Sequence, residues 1–201
     1  MPAVNKLPEM ADLVFGLRGE SVPEDYAIAL WQETVRCLPW LEADEFAGIL
    51  PLRVAASGGN MLLPQRAKLV LRLAADCVQQ GRSLSGQELE IGGSIVRVGD
   101  AVERPLVPYP TLHAHLVESG CDEEVFTAGV TEQLREMAID CKLICGKRLA
   151  VAGAKRMIFG YSLVLHDLKP EDSLRIQNVG LGGNRRFGCG IFVPHKAISG
   201  L

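Results

Sequence analysis

Several features common in other protein classes are missing from this 201-residue chain. No apolar run approaches the roughly 18 residues needed to cross a bilayer. No N-terminal stretch joins a basic head to an apolar segment, as a secretory leader does. The expected location is therefore the cytoplasm, with no membrane partner. The six cysteines, Cys37, Cys77, Cys121, Cys141, Cys145 and Cys189, are scattered, and the nearest pair is spaced C-x3-C. That spacing indicates neither a zinc site nor a disulfide framework. The nucleotide signature G-x-x-x-x-G-K-[ST] is absent, and no cofactor is expected. Histidine is scarce, with four in the chain and none before His113.

What is present begins with a hydrophobic content of 48%, ample for a packed core. The net charge of -3 conceals a segregation. Up to Cys141 there are 11 Lys and Arg against 21 Asp and Glu, and from Lys142 onward 10 against 3. A basic end of this kind points to a polyanionic partner, although solvated strand faces also carry Lys and Arg.

The order of elements repeats. Residues 11–20 read as a strand, and 22–41 place Ile28, Leu30, Trp31, Val35 and Leu38 at helical spacing, with Pro23, Glu24 and Asp25 suited to the first turn. Residues 46–57 and 67–74 are two strand-like runs that read as a hairpin, 75–86 suits a short helix, and 88–102 supplies one or two strands around Gly92-Gly93. The segment 103–111 carries three prolines and suits a linker. The pattern then restarts with a strand at 112–119 and a helix at 121–139, capped by Asp122 and striped by Phe126, Val130, Leu134 and Met137. A second hairpin over 141–151 and 155–168, a short helix over 169–180 and a last strand over 187–194 complete it. Each half reads β-α-β-β-α-β, which predicts an α+β fold of tandem ferredoxin-like (RRM-like) units over residues 11–104 and 110–201.

From residue 180 the chain runs GLGGNRRFGCGIFVPHK. Glycines let backbone N–H groups approach a phosphate and arginine offers its oxygens a planar fork, but glycine clusters also mark tight turns before core strands. The loop follows a helix and precedes a strand, the reverse of a dinucleotide-binding arrangement. Tandem units with such a loop resemble the RAMP superfamily of CRISPR-associated proteins. More narrowly, ADLVFGLRGESVPEDYAIALW, FAGILPLRVAASGGNMLLP and GLGGNRRFGCGIFVPHK resemble the Cas6 family of repeat-processing endoribonucleases, in the short variant of the myxobacterial subtype. The likeness spans essentially the whole chain.

The resemblance implies a CRISPR repeat RNA partner, as precursor and as mature crRNA, and other subunits of an effector complex as further partners. It implies backbone contacts from Gly180, Gly182, Gly183, Asn184, Arg185 and Arg186 of the loop, and Lys196, beside His195 after the last strand, is a further candidate for RNA contact. Lys142, Lys147, Arg148, Lys155 and Arg156 of the hairpin, clustered near one turn, suit the groove of an A-form stem. Phe187 reads as core. The implied reaction needs no metal: the ribose 2′-OH attacks the adjacent phosphate, leaving a 2′,3′-cyclic phosphate and a 5′-OH. It requires a base, an acid and a cation beside the transition-state charge.

Many family members carry the catalytic histidine near the first helix, where this chain has none. Three readings follow: the catalytic group has moved, Tyr26 at the start of helix one takes part, or the protein binds without cutting. Of the histidines, His113 and His115 stand i, i+2 on one strand face just after the linker and could divide the acid and base roles. The alternatives are exposed or structural imidazoles there, a non-catalytic crRNA-binding RAMP subunit, and a small-molecule enzyme whose loop holds a phosphorylated metabolite.

Overall fold

The structure, a computed structural model, describes residues 8–57 and 60–195. The first half contributes β1 (Met10–Arg18), β2 (Ser21–Pro23), α1 (Tyr26–Cys37), β3 (Gly48–Ile49), β4 (Ala55–Ser57), β5 (Asn60–Leu62), β6 (Lys68–Ala74), α2 (Val78–Gly81), β7 (Glu88–Ile91) and β8 (Ser94–Pro105). The second contributes β9 (Thr111–Glu118), α3 (Glu123–Glu136), β10 (Lys142–Ala152), β11 (Met157–His166), α4 (Pro170–Val179) and β12 (Phe192–Pro194). Among the described residues no helix is long and apolar enough to cross a membrane.

The two main sheets share one antiparallel plan. The first runs β3-β6-β1-β8-β7 and the second β10-β11-β9-β12. With β7 set aside, both place the third strand of the unit beside the first, the fourth on its other side and the second at the edge. This is the strand order of the ferredoxin-like unit, and the expected α+β tandem fold is present.

Local chemistry explains most elements. The Asp122 side chain accepts the Val125 N–H at 3.0 Å and caps α3, whose Phe126, Val130 and Leu134 are buried. Gly92 and Gly93, at φ +55° and +86°, make the two-residue turn between β7 and β8, where two left-handed residues match the twist of the strands. Phe126 stacks on Tyr161 at 4.9 Å, and the Arg148 guanidinium lies 5.8 Å from the same ring centre.

Four expectations are corrected. Pro23 ends a strand instead of opening α1, which begins at Tyr26. Only Gly48 and Ile49 of the 46–57 run pair with β6, because Pro51 has no N–H to continue the ladder. Residues 55–57 instead pair with β5, which also pairs β2 in a separate three-stranded sheet. Glu103 to Pro105 belong to β8 and pair with β1, so the irregular connection shrinks to 106–110. The last strand is confined to Phe192–Pro194, because Gly188 and Gly190 hold positive φ and Arg185–Phe187 form a single 3-10 turn.

One core lies between the first sheet and its helices, built on Leu13, Phe15, Leu69, Leu71, Leu30 and Trp31. The other lies under α3 and α4, built on Leu112, Ala114, Leu163, Leu165, Phe126 and Ile176. The first core does not stop at the connection: Leu116, Ile158, Phe187 and Cys189 of the second half are part of it.

Arg72, fully buried on β6, crosses the same boundary. Its Nε donates to Asp12 Oδ1 at 2.8 Å, and its Nη1 donates to the carbonyls of Phe192 at 2.6 Å and Gln177 at 3.2 Å. Arg104 Nη2 donates to the other Asp12 oxygen at 2.8 Å. Removing one partner of a buried pair strands the other. Arg72→Leu is therefore expected to lower unfolding stability by about 3–5 kcal/mol, read from denaturant midpoints.

Candidate nucleic-acid interface

The centre of the second sheet is β9. Leu112 and Ala114 point under α3 and α4, so alternation sends His113 and His115 to the other face. Between the pairs Val117↔Tyr161 and Ala114↔Leu163, β9 holds one residue more than β11. This bulge lets Val117 return to the helix side while Leu116 enters the first core. His115 is thus exposed immediately before the point where the two halves meet.

All four histidines of the chain gather on this face. His113 is paired with Val164 of β11 and Val193 of β12, and His166 lies two residues beyond Val164 on the same side. The His195 ring stands 5.4 Å from the His113 ring, tilted by 37°. Partial shielding from water lowers the pKa of both His113 and His115 from the usual imidazole value, and for His113 the charges of His195 and His115 add to the effect. For His115 the shift favours the neutral form, the one a general base needs.

Tyr26 is tied to the backbone of the first half. Its hydroxyl oxygen accepts the Leu52 N–H at 2.9 Å, and burial raises its pKa.

The glycine loop divides into a supporting part and a presenting part. Gly180 ends α4 at φ +70°, and a Cβ there would run into the Gly190 carbonyl and the Arg185 guanidinium. Arg185, expected to contact RNA, is buried instead. Its Nε donates to the Phe46 carbonyl at 2.8 Å and its Nη1 to the Val179 carbonyl at 2.9 Å. Burial, reinforced by the nearby Arg72 charge, pushes its pKa down to about 10. Gly182, Gly183 and Arg186 are exposed. The Arg186 guanidinium rests 5.6 Å from the centre of the Trp31 ring of α1, which leaves its outer edge to solvent. Phe187 is core, as expected.

The basic hairpin is less concentrated than its sequence implied. Lys142 opens β10 opposite His166 and pairs with Asp167 at 3.0 Å. It therefore stands about 33 Å along the strand from the turn. Lys147 sits midway, at a bulge opposite Ser162, with Arg148 beside it opposite Tyr161, and only Lys155 and Arg156 flank the turn itself. Lys196 lies outside the described residues.

Glu118, which sequence reasoning passed over, joins the separated parts. Its Oε1 accepts from Arg156 Nη2 and its Oε2 from Asn184 Nδ2, both at 2.6 Å. Asn184 adopts a left-handed conformation at φ +61°, and its carbonyl accepts the Phe187 N–H at 2.9 Å. The hairpin turn and the glycine loop are thereby held side by side at the end of β9.

Two ferredoxin-like units of one strand order, with a glycine loop before the last strand of the second, make up the described structure. Solved structures carry the same fold. One described as "CRISPR associated protein Cas6" aligns with a TM-score of 0.67 at 9% identity, over 94% of this chain and all of that one. Another, "An RAMP protein binding different RNA substrates", gives 0.65 at 14% identity over 90% of this chain and 98% of the other. The family model described as Cas6 Crispr matches residues 11–197. The CRISPR-associated endonuclease Cas6 of Myxococcus xanthus (strain DK1622) is 34% identical over 185 residues, 91% of this chain and 80% of that protein. The chain belongs to the Cas6 family of CRISPR-associated endoribonucleases.

The two adjacent arginines should separate cleanly. Arg185→Ala takes away the side-chain partner of two part-buried carbonyls and is expected to cost about 1–3 kcal/mol of stability. Arg186→Ala is expected to leave stability nearly unchanged while flattening the salt dependence of RNA binding by about 0.7 in log–log slope, measured by titration at several salt concentrations.

Proposed function

We propose that this Cas6-family endoribonuclease cuts the repeats of precursor CRISPR RNA without a metal ion, and that the second half both holds the RNA backbone and supplies the acid and base. The observation that carries the reading is the junction at the end of β9. The carboxylate of Glu118 brings the hairpin turn beside the glycine loop, so that Arg156 and the exposed Gly182-Gly183 backbone share one surface. Three residues earlier on the same strand, about 10 Å away, stands the exposed His115.

A neutral imidazole takes the proton of the ribose 2′-OH. The oxygen then bonds to the adjacent phosphorus, and the bond from phosphorus to the 5′-oxygen breaks. A protonated group returns a proton to that oxygen, giving the 2′,3′-cyclic phosphate and a free 5′-OH. His115 serves as the base, and the His113–His195 pair, whose rings are 5.4 Å apart, supplies the acid. The guanidiniums of Arg156 and Arg186 offset the charge on the transition state. RNA is the partner this surface suits. Retention of the mature crRNA and docking of effector subunits extend the same reading.

His115→Ala and His113→Ala are each expected to lower kcat by about 10²–10⁴-fold on labelled repeat RNA in the presence of EDTA, with little change in RNA affinity. Wild-type rates in both variants would remove the histidines from the site. Because the His115 pKa is lowered, its base form persists below the ordinary imidazole value of 6.5. The acid limb of kcat/KM is therefore expected below pH 6.5, with rate lost as pH falls through the lowered pKa and regained as it rises.

A further inference from the structure

We propose that Glu118 is a specificity-determining residue, an internal competitor that occupies the Arg156 guanidinium until RNA displaces it. The inference rests on the RNA-binding reading above and assigns the carboxylate a part in it. Glu118 is the one acid bonded to both elements of the proposed RNA surface, among the described residues. It presents two anionic oxygens to an arginine and a side-chain amide at 2.6 Å, the contacts that two oxygens of one phosphate would make.

The exposures fix the direction of the competition. The Arg156 side chain is 70% exposed and that of Glu118 23%, so RNA reaches the arginine from solvent while the carboxylate holds it from behind. The loop lies directly against the acid: a Cβ on Gly183 would stand 3.8 Å from Glu118 Oε2. A phosphate arriving beside Gly182 and Gly183 is therefore repelled by Glu118 unless it is placed well enough to take over Arg156 and Asn184. RNA in the correct register makes enough other contacts to offset that repulsion. RNA of unrelated sequence or shape does not, and is rejected.

The competition predicts a signature that a purely structural role lacks. In Glu118→Gln the amide oxygen can still accept from Asn184, while the charge on Arg156 is released. Affinity for an unrelated single-stranded RNA is expected to rise about 3- to 10-fold, and its salt dependence to steepen by about 0.7 for the gained phosphate contact. Affinity for the repeat RNA should change less, so discrimination between the two falls. In an Arg156→Ala background only the relief of repulsion at the loop remains, so the same substitution should have a clearly smaller effect on the unrelated RNA. Thermal unfolding of each variant confirms that folded protein is compared, and Glu118→Asp, which keeps the charge, should restore most of the discrimination.

Equal weakening toward both RNAs with an unchanged salt slope would overturn the gate and leave Glu118 a structural brace. A Glu118→Gln effect that is undiminished without Arg156 would overturn it equally. If the unsubstituted protein binds neither RNA, the RNA-binding reading fails and this inference with it.

Discussion

The two halves hold each other through an exchange of arginines. Arg72 leaves the first sheet to donate to the carbonyls of Gln177 and Phe192 in the second half, and Arg185 leaves the glycine loop to donate to the carbonyl of Phe46 in the first. Both guanidiniums are buried, and each repels the other. The arrangement is tolerable only because Asp12 and Asp44 lie close enough to offset that charge and because the carbonyls take the hydrogen bonds water would have taken. One Arg185 nitrogen, Nη2, has no partner among the described residues, so the packing stops short of full satisfaction. Since Arg185 also reaches the carbonyl of Val179, at the end of α4, this exchange sets the position of the glycine loop relative to both sheets.

Once the loop is fixed, β9 organises the rest. In eight residues it carries His113 and His115, the bulge, Leu116 buried in the neighbouring core, and Glu118 between loop and hairpin. A regular strand could not do all of this, because alternation would put Leu116 and Val117 on faces their cores do not need. The extra residue against β11 resolves the conflict, and exposure of His115 follows from it.

The element order was legible because each long element carried its own signals. α3 shows the Asp122 cap and the Phe126, Val130, Leu134 stripe, and β7–β8 shows a Gly-Gly turn. Failures came where tertiary contacts decided. Nothing local distinguishes Arg185 from Arg186, although one is buried beneath the loop and the other lies on Trp31. The hairpin cations are close in sequence and not in space, because an extended strand carries Lys142 far from the turn. Glu118 gave no signal, since its partners are 38 and 66 residues away in the chain. The i, i+2 spacing of His113 and His115 was readable, while the company of His166 and His195 depended on strand pairing.

The core shared across the boundary also bears on the connection at 106–110. Leu116, Ile158 and Phe187 are packed among the side chains of the first half, and the arginine exchange adds directed bonds in both directions. The peptide link between the halves is thus mechanically redundant: cohesion resides in the interface, and the connecting segment serves mainly to keep the local concentration of one half high around the other. The sharing is one-sided: the core under α3 and α4 is built from the second half alone, whereas the first core is completed by side chains of the second.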